Sequence, residues 1–481
     1  MHYYIINQRI INLNFYLVTK KVSSIKDASS KKIDMTKGPI MRNILLFAIP
    51  IVIGNILQQL YTTVDTLVIG NYCGKTSLAA VGTSSQPVEV LVCIFLGIGT
   101  GVSILISQYT GAGSFDKLRE VCSTAVSFVF ICGIPVGVLG WFVTPFILNF
   151  MGVPADTWDA ALVYTRVVFL GTLGNIGYNM NAGILRGMGD SKASLWFLVV
   201  SCICNIILDI LLVAGLGMDV RGAALSTSIS IYISWFVSVL YIRKKFPELA
   251  FTFLPRRLSG AEFKNIIAIG LPIGLNNSLF SFGHMALQTM VNANGSTFMA
   301  GNSVAGRITG LSNIAITGIS SAATTFAGQN YGAGNYKRLK DGHLKIPVTS
   351  GLITLAFGIF FIIIRMPILR FFSREAEVLM YASRYVCVLL LSQWFYAIFN
   401  SISCIVNGTG KVKYTTVINL LMLWAVRVPS AYVISHFFDG TWIMLCFPIS
   451  FSFGAICMFG YYAFSSNWKR LMKLADSPNA L

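Results

Sequence analysis

The chain has 481 residues, 55% of them hydrophobic and only 11% charged, with a mean hydropathy of +0.70. A soluble domain carries about 45–50% apolar and about 25% charged residues, so this composition excludes a soluble enzyme or nucleic-acid-binding domain and indicates a polytopic membrane protein. The 36 Lys and Arg against 18 Asp and Glu leave a net charge of +18, an excess that has to be assigned to loops before it says anything about partners.

The chain begins with a short apolar stretch broken by Gln8, Arg9, Asn12 and Asn14, followed by a Lys- and Ser-rich segment. This stretch is too interrupted to span a bilayer, and it lacks the clean apolar core and small-residue cleavage site of a signal peptide. Met35 opens a second plausible start, so residues 1–35 are expected to be a disordered arm or a mis-assigned start. Apolar windows of about 20 residues or more then follow near 44–70, 78–108, 122–148, 160–184, 194–216, 221–242, 266–291, 299–327, 346–369, 378–405, 414–436 and 441–464. The expected fold is all-α, with twelve transmembrane helices. A first lobe (36–242) and a second (266–464) are joined by a basic linker (243–265) and followed by a tail (465–481).

The positive charges sort by side. Of the 36 Lys and Arg, 27 fall in the two terminal segments and the even-numbered loops, including six between Arg243 and Lys264. The opposite loops hold only Lys75, Arg221, Arg365, Arg370 and Arg374. The positive-inside bias therefore places both termini in the cytoplasm, and contact with anionic lipid accounts for the charge without a nucleic-acid partner. The ten cysteines lie mostly inside the windows with no C-x-x-C pair, and His2, His284, His343 and His436 share no metal spacing. They read as packing residues rather than a redox or metal centre.

The two halves repeat. LLFAIPIVIGNILQQL is echoed by IIAIGLPIGLNNSLF, so that Pro50 matches Pro272; Gly111-Ala112-Gly113 matches Gly332-Ala333-Gly334; and LRGMGDSK (185–192) matches VNGTGKVK (406–413). All three matches fall at an offset of 221 or 222. Six helices per repeat is an even number, so both repeats enter the membrane in the same direction and are related by a pseudo-two-fold axis along the membrane normal. Side-by-side lobes leave a central cleft, a geometry suited to alternating access. The repeated glycines suit helix C-caps. No Walker A pattern accompanies them, so an ion gradient is the simplest energy source.

Acids inside the membrane are costly and need a partner or a use. Asp65 and Asp209 lie within spans, and Glu89 lies early in the second. Asn205 and Asp209 are four apart and share a helix face. At about 1.5 Å per residue, Asp65, Asp209 and Thr227 each lie about 9–10 Å below the outer ends of their helices. Two carboxylates, an amide and a hydroxyl at one depth can hold a cation or pass a proton. The second lobe offers no matching acid.

FAIPIVIGNILQQLYTTVDTLVIGNYCG, the SQYTGAG turn, LRGMGDSK, the N-x-x-x-D pair followed by GAALST, and VRVP at 426–429 resemble the multidrug and toxic compound extrusion (MATE) family over residues 36–470, and most nearly the branch related to DNA-damage-inducible protein F. The resemblance implies a secondary antiporter in the plasma membrane that exports amphipathic, often cationic, small molecules in exchange for H+ or Na+. By matching position, Asp65, Asn205, Asp209 and Thr227 would form the coupling site, with no cofactor and no metal beyond Na+ at Asp65, Asp209 and Asn205. Pro50 would be a hinge in the first helix, although a helix-start proline is an equal reading. Gln58, Tyr61, Glu89, Phe280, Gln288 and Met290 are the expected cleft lining. The protein is expected to be a monomer contacting lipid. A lipid-linked oligosaccharide flippase of the same superfamily is the alternative, and a polytopic enzyme or receptor the distant one.

Overall fold

A computed structural model describes residues 32–438 and 440–476; the expectation for the arm falls mostly on residues outside this range. Twelve long helices follow one another: α1 (Ile40–Tyr72), α2 (Gly74–Gly111), α3 (Phe115–Phe150), α4 (Ala155–Gly187), α5 (Ser191–Gly215), α6 (Asp219–Lys245), α7 (Gly260–Asn292), α8 (Ser296–Gly332), α9 (Tyr336–Ile363), α10 (Ala376–Gly408), α11 (Val412–Phe437) and α12 (Cys446–Phe464). The predicted all-α, twelve-helix fold is the one observed. Eleven of these are long and apolar enough to cross a bilayer. The exception, α8, has the length, but Gly, Ser, Thr and Asn dilute its apolar content. In a helix that faces a partner helix or a polar cleft instead of lipid, such residues cost little.

Most helices outrun their apolar windows because they continue into the turns before Gly and Asn end them. The ninth window is corrected. Helix α9 stops at Ile363, and Arg365–Phe372 forms a separate short helix. A second short helix, Ser466–Ala475, carries Lys469, Arg470 and Lys473 and buries Trp468. Helices α5 and α11 occupy the same place in the two repeats, and each contains a π-helical stretch, Ile210–Gly215 and Leu421–Arg427. Such stretches loosen the backbone ladder and often accompany functional sites.

The apolar core has two large clusters, with three small ones in the first half. Of the large clusters, one is drawn largely from α2–α6 and the other from α7–α12. They interlock at the end that carries the basic linker: Ile44, Phe47 and Ala48 of α1 join the second cluster, while Ile266 and Ile269 of α7 and Val412 of α11 join the first. Met35 is fully buried there, its N–H donating to Gln329 Oε1 at 2.9 Å, and Asn330 Nδ2 and Arg338 Nε both donate to the Met35 carbonyl.

This basic end is held shut by a symmetric contact. Gln108 Nε2 donates to the Gly408 carbonyl at 2.8 Å, and its repeat counterpart Gln329 donates to the Gly187 carbonyl at 3.0 Å. Gly111 and Gly332 permit the approach, since a Cβ at either would collide with the backbone carbonyl of Gln329 or Gln108. The described hydrogen bonds between the halves run from this end up to Asn55–Thr317 and Ser278–Val90 near mid-membrane. The paired glutamine bonds close the cleft at the basic face.

Candidate transport site

Helices α1, α5 and α6 pack against one another in the first half and bring the sequence-predicted polar residues together. Asp65, Asn205 and Asp209 are all buried, Asn205 and Asp209 completely. The two carboxyl groups are close enough to act on each other electrostatically. Ser226 Oγ donates to Asp209 Oδ1, and Asn205 Nδ2 reaches both Ser226 Oγ and Thr227 Oγ1 at 3.4 Å. Tyr61 and Thr227 line the same cavity beside this cluster. Three buried oxygens in this cluster have no hydrogen-bond partner: Asp65 Oδ1, Asn205 Oδ1 and Asp209 Oδ2. Buried oxygens left unpaired are expensive, and three converging from two helices make a set of donors suited to a proton or a hard cation.

A cavity of about 460 Å³ adjoins the cluster between α1, α2, α4, α5, α6 and α8. A second, of about 300 Å³, is lined by Glu89, Tyr164 and Thr227; Gln58 and Tyr61 line both. Three of the six predicted cleft residues therefore line cavities: Gln58, Tyr61 and Glu89. The other three line neither of these two cavities: Phe280 meets His284 edge-on and lies beside the Arg427 guanidinium, Met290 packs on the second apolar cluster, and Gln288 is exposed and donates to Asn292 Oδ1 at 2.8 Å. Pro50 is buried inside α1, eleven residues from its start, and lines the larger cavity. The helix-start reading of Pro50 is thereby corrected. An interior proline leaves the Leu46 carbonyl without its intrahelical donor.

Ser226 and Tyr164 were missed by the sequence reading. Ser226 immediately precedes Thr227 in the same Ser/Thr-rich turn, and depth along the helix does not separate two adjacent residues. Arg186 was read only as part of a basic turn, yet it lines the larger cavity. Arg427 is fully buried in the second half. It stacks against Phe280, Phe447 and Phe451 at 4.8–5.3 Å and bonds to Ser450 at 3.0 Å.

The MatE family profile matches twice, over residues 50–211 and 272–433, an offset of 222 that coincides with the internal repeat. The chain belongs to the MatE family. Among curated relatives, a probable multidrug resistance protein, YoeA of Bacillus subtilis, is 30% identical, covering 91% of this chain and 97% of that relative. DNA damage-inducible protein F of Escherichia coli is 25% identical, covering 70% and 74%. A solved outward-facing MATE transporter of the MOP superfamily superposes with a TM-score of 0.84 at 23% identity, covering 93% of this chain and all of that one. This MatE protein is therefore a multi-pass membrane transporter and not an enzyme, and a lipid-linked oligosaccharide flippase is not favoured.

Proposed function

We propose that this chain is a secondary multidrug efflux antiporter of the plasma membrane. It acts as a monomer with both termini in the cytoplasm, and it exports amphipathic, often cationic, compounds in exchange for H+ or Na+. Relatives named as multidrug resistance or multidrug export proteins support the multidrug part of this reading. The observation that carries the coupling role is the convergence of three unpartnered buried oxygens, from Asp65, Asn205 and Asp209, close to a cavity that Tyr61 lines.

Two adjacent buried carboxyl groups cannot both stay charged and unpaired. In the outward-open state, a proton or Na+ from outside neutralises the Asp65–Asp209 pair, with Asn205 and Thr227 completing the oxygen set. Tyr61 borders the pair and both cavities, so tightening around the ion moves a wall of the substrate cavity and expels the substrate. The reset state turns inward, releases the ion to the cytosol and reloads. Pro50, at the cavity wall with the Leu46 carbonyl freed, is the proposed point at which α1 bends.

Efflux of ethidium from cells expressing the protein tests this reading. Asp65→Asn and Asp209→Asn should each abolish efflux while membrane-inserted protein stays at the wild-type level. Undiminished efflux in both variants would contradict the site.

A further inference from the structure

Of the 23 residues that line the larger cavity, Arg186 alone carries a formal charge. It sits in the last turn of α4, and long helical side chains lean toward the N-terminus of their helix, which carries its guanidinium from the basic face into the foot of the cavity. No ion pair joins it to a carboxylate among the described residues, and Tyr178 lines the same cavity. The wall around it offers neutral polar groups, Asn175, Asn179, Ser191, Ser194 and Ser321.

A cation in the last helical turn could serve simply to offset the helix dipole. The repeat argues otherwise. The residue matching Arg186 in the second half is Asn407, which closes the same glycine turn without charge and accepts from Thr415 Oγ1 at 2.5 Å. The turn therefore does not require a cation, which leaves the charge to the cavity that Arg186 lines.

We infer that Arg186 is an anion-recognition residue at the foot of the substrate cavity, and that the transporter accepts amphipathic organic anions that seat a carboxylate on this guanidinium. The apolar body of such a molecule would lie against Ile51, Leu96, Leu195 and Leu198, which line the same space. Arginine presents a planar fork that matches a carboxylate with two parallel hydrogen bonds. The inference rests on the efflux reading, and it extends that reading from cations to anions.

Two xanthene dyes of similar shape and opposite charge, carboxyfluorescein and rhodamine 6G, separate the possibilities. Binding is read by fluorescence anisotropy on the detergent-purified full-length protein, and transport by flux in proteoliposomes. Wild type should bind carboxyfluorescein, Arg186→Gln should weaken its affinity relative to that for rhodamine by about tenfold or more, and Arg186→Lys should recover part of the loss. Benzoate should displace the anionic dye more effectively than short-chain phosphatidylglycerol. The inference is overturned if wild type fails to bind the anion, if Arg186→Gln weakens both dyes equally, or if the lipid competes better than benzoate. Rhodamine flux without carboxyfluorescein binding would leave efflux standing and remove only the anion site; anion binding without flux of either dye would do the reverse.

Discussion

Ser226 shows how much a single hydroxyl carries in this site. It donates to Asp209 and stands beside Asn205, all three fully buried, and a hydrogen bond to a charged group contributes about 1.5–3 kcal/mol. Ser226→Ala should therefore weaken the apparent affinity for the coupling ion by about tenfold or more while leaving the fold intact, as read from the ion-concentration dependence of transport. Arg427 presents the opposite problem, a buried charge with no acid beside it. Three aromatic rings and Ser450 hold it, and one guanidinium nitrogen, Nη2, has no partner. A planar guanidinium stacks where an ammonium cannot. Arg427→Lys should consequently lower the melting temperature more than Arg427→Met, since methionine removes the uncompensated charge altogether; differential scanning fluorimetry in detergent measures both. At this scale the sequence was informative about Asp65, Asn205, Asp209 and Thr227, because acids and amides inside hydrocarbon stand out. It was uninformative about Phe280 and Met290, because apolar side chains at helical spacing look the same on a cleft wall and in a core.

At the scale of the helix, the closed basic end is the feature with the most direct consequence. The Gln108–Gly408 and Gln329–Gly187 bonds are related by the internal repeat and must both break before the cleft can open on that side. Each is worth about 1 kcal/mol, so replacing both glutamines by alanine should move the balance between the two openings by about tenfold or more toward the inward state. Distances between labels on the two turns that follow α2 and α8, measured by pulsed electron spin resonance, should lengthen. An unchanged distance distribution would show that the apolar interlock holds the gate without them. Gly332→Val should act more strongly, because its side chain meets the Gln108 backbone, and backbone cannot step aside as a flexible side chain can. The helix count was legible from hydropathy, but the break after Ile363 and the π-helical stretches were not: neither leaves a mark in a window that averages about twenty residues. The glycines of the repeat were legible as turns. Their second use, letting helices approach, depends on which helix faces them and needs the fold.

The molecule as a whole is a duplicated scaffold used asymmetrically. The two repeats share their helix order, their glycine turns and their π-helical stretches, and the family profile registers on both. Yet the carboxyl pair occurs in one half, and a buried arginine enclosed by aromatic rings occurs in the other. Pseudo-symmetry gives the two lobes matching surfaces on which to rock, while asymmetry of charge confines ion binding to one of them. The central claim is that the Asp65–Asp209 pair couples ion entry to substrate exit. The measurement that tests it most directly is drug-stimulated cation flux in proteoliposomes, comparing wild type with Asp65→Asn under separately imposed Na+ and pH gradients. The account predicts uphill drug movement driven by one of the two gradients in wild type and its loss in the variant; equal uphill movement in both proteins, or none in wild type under either gradient, would contradict it.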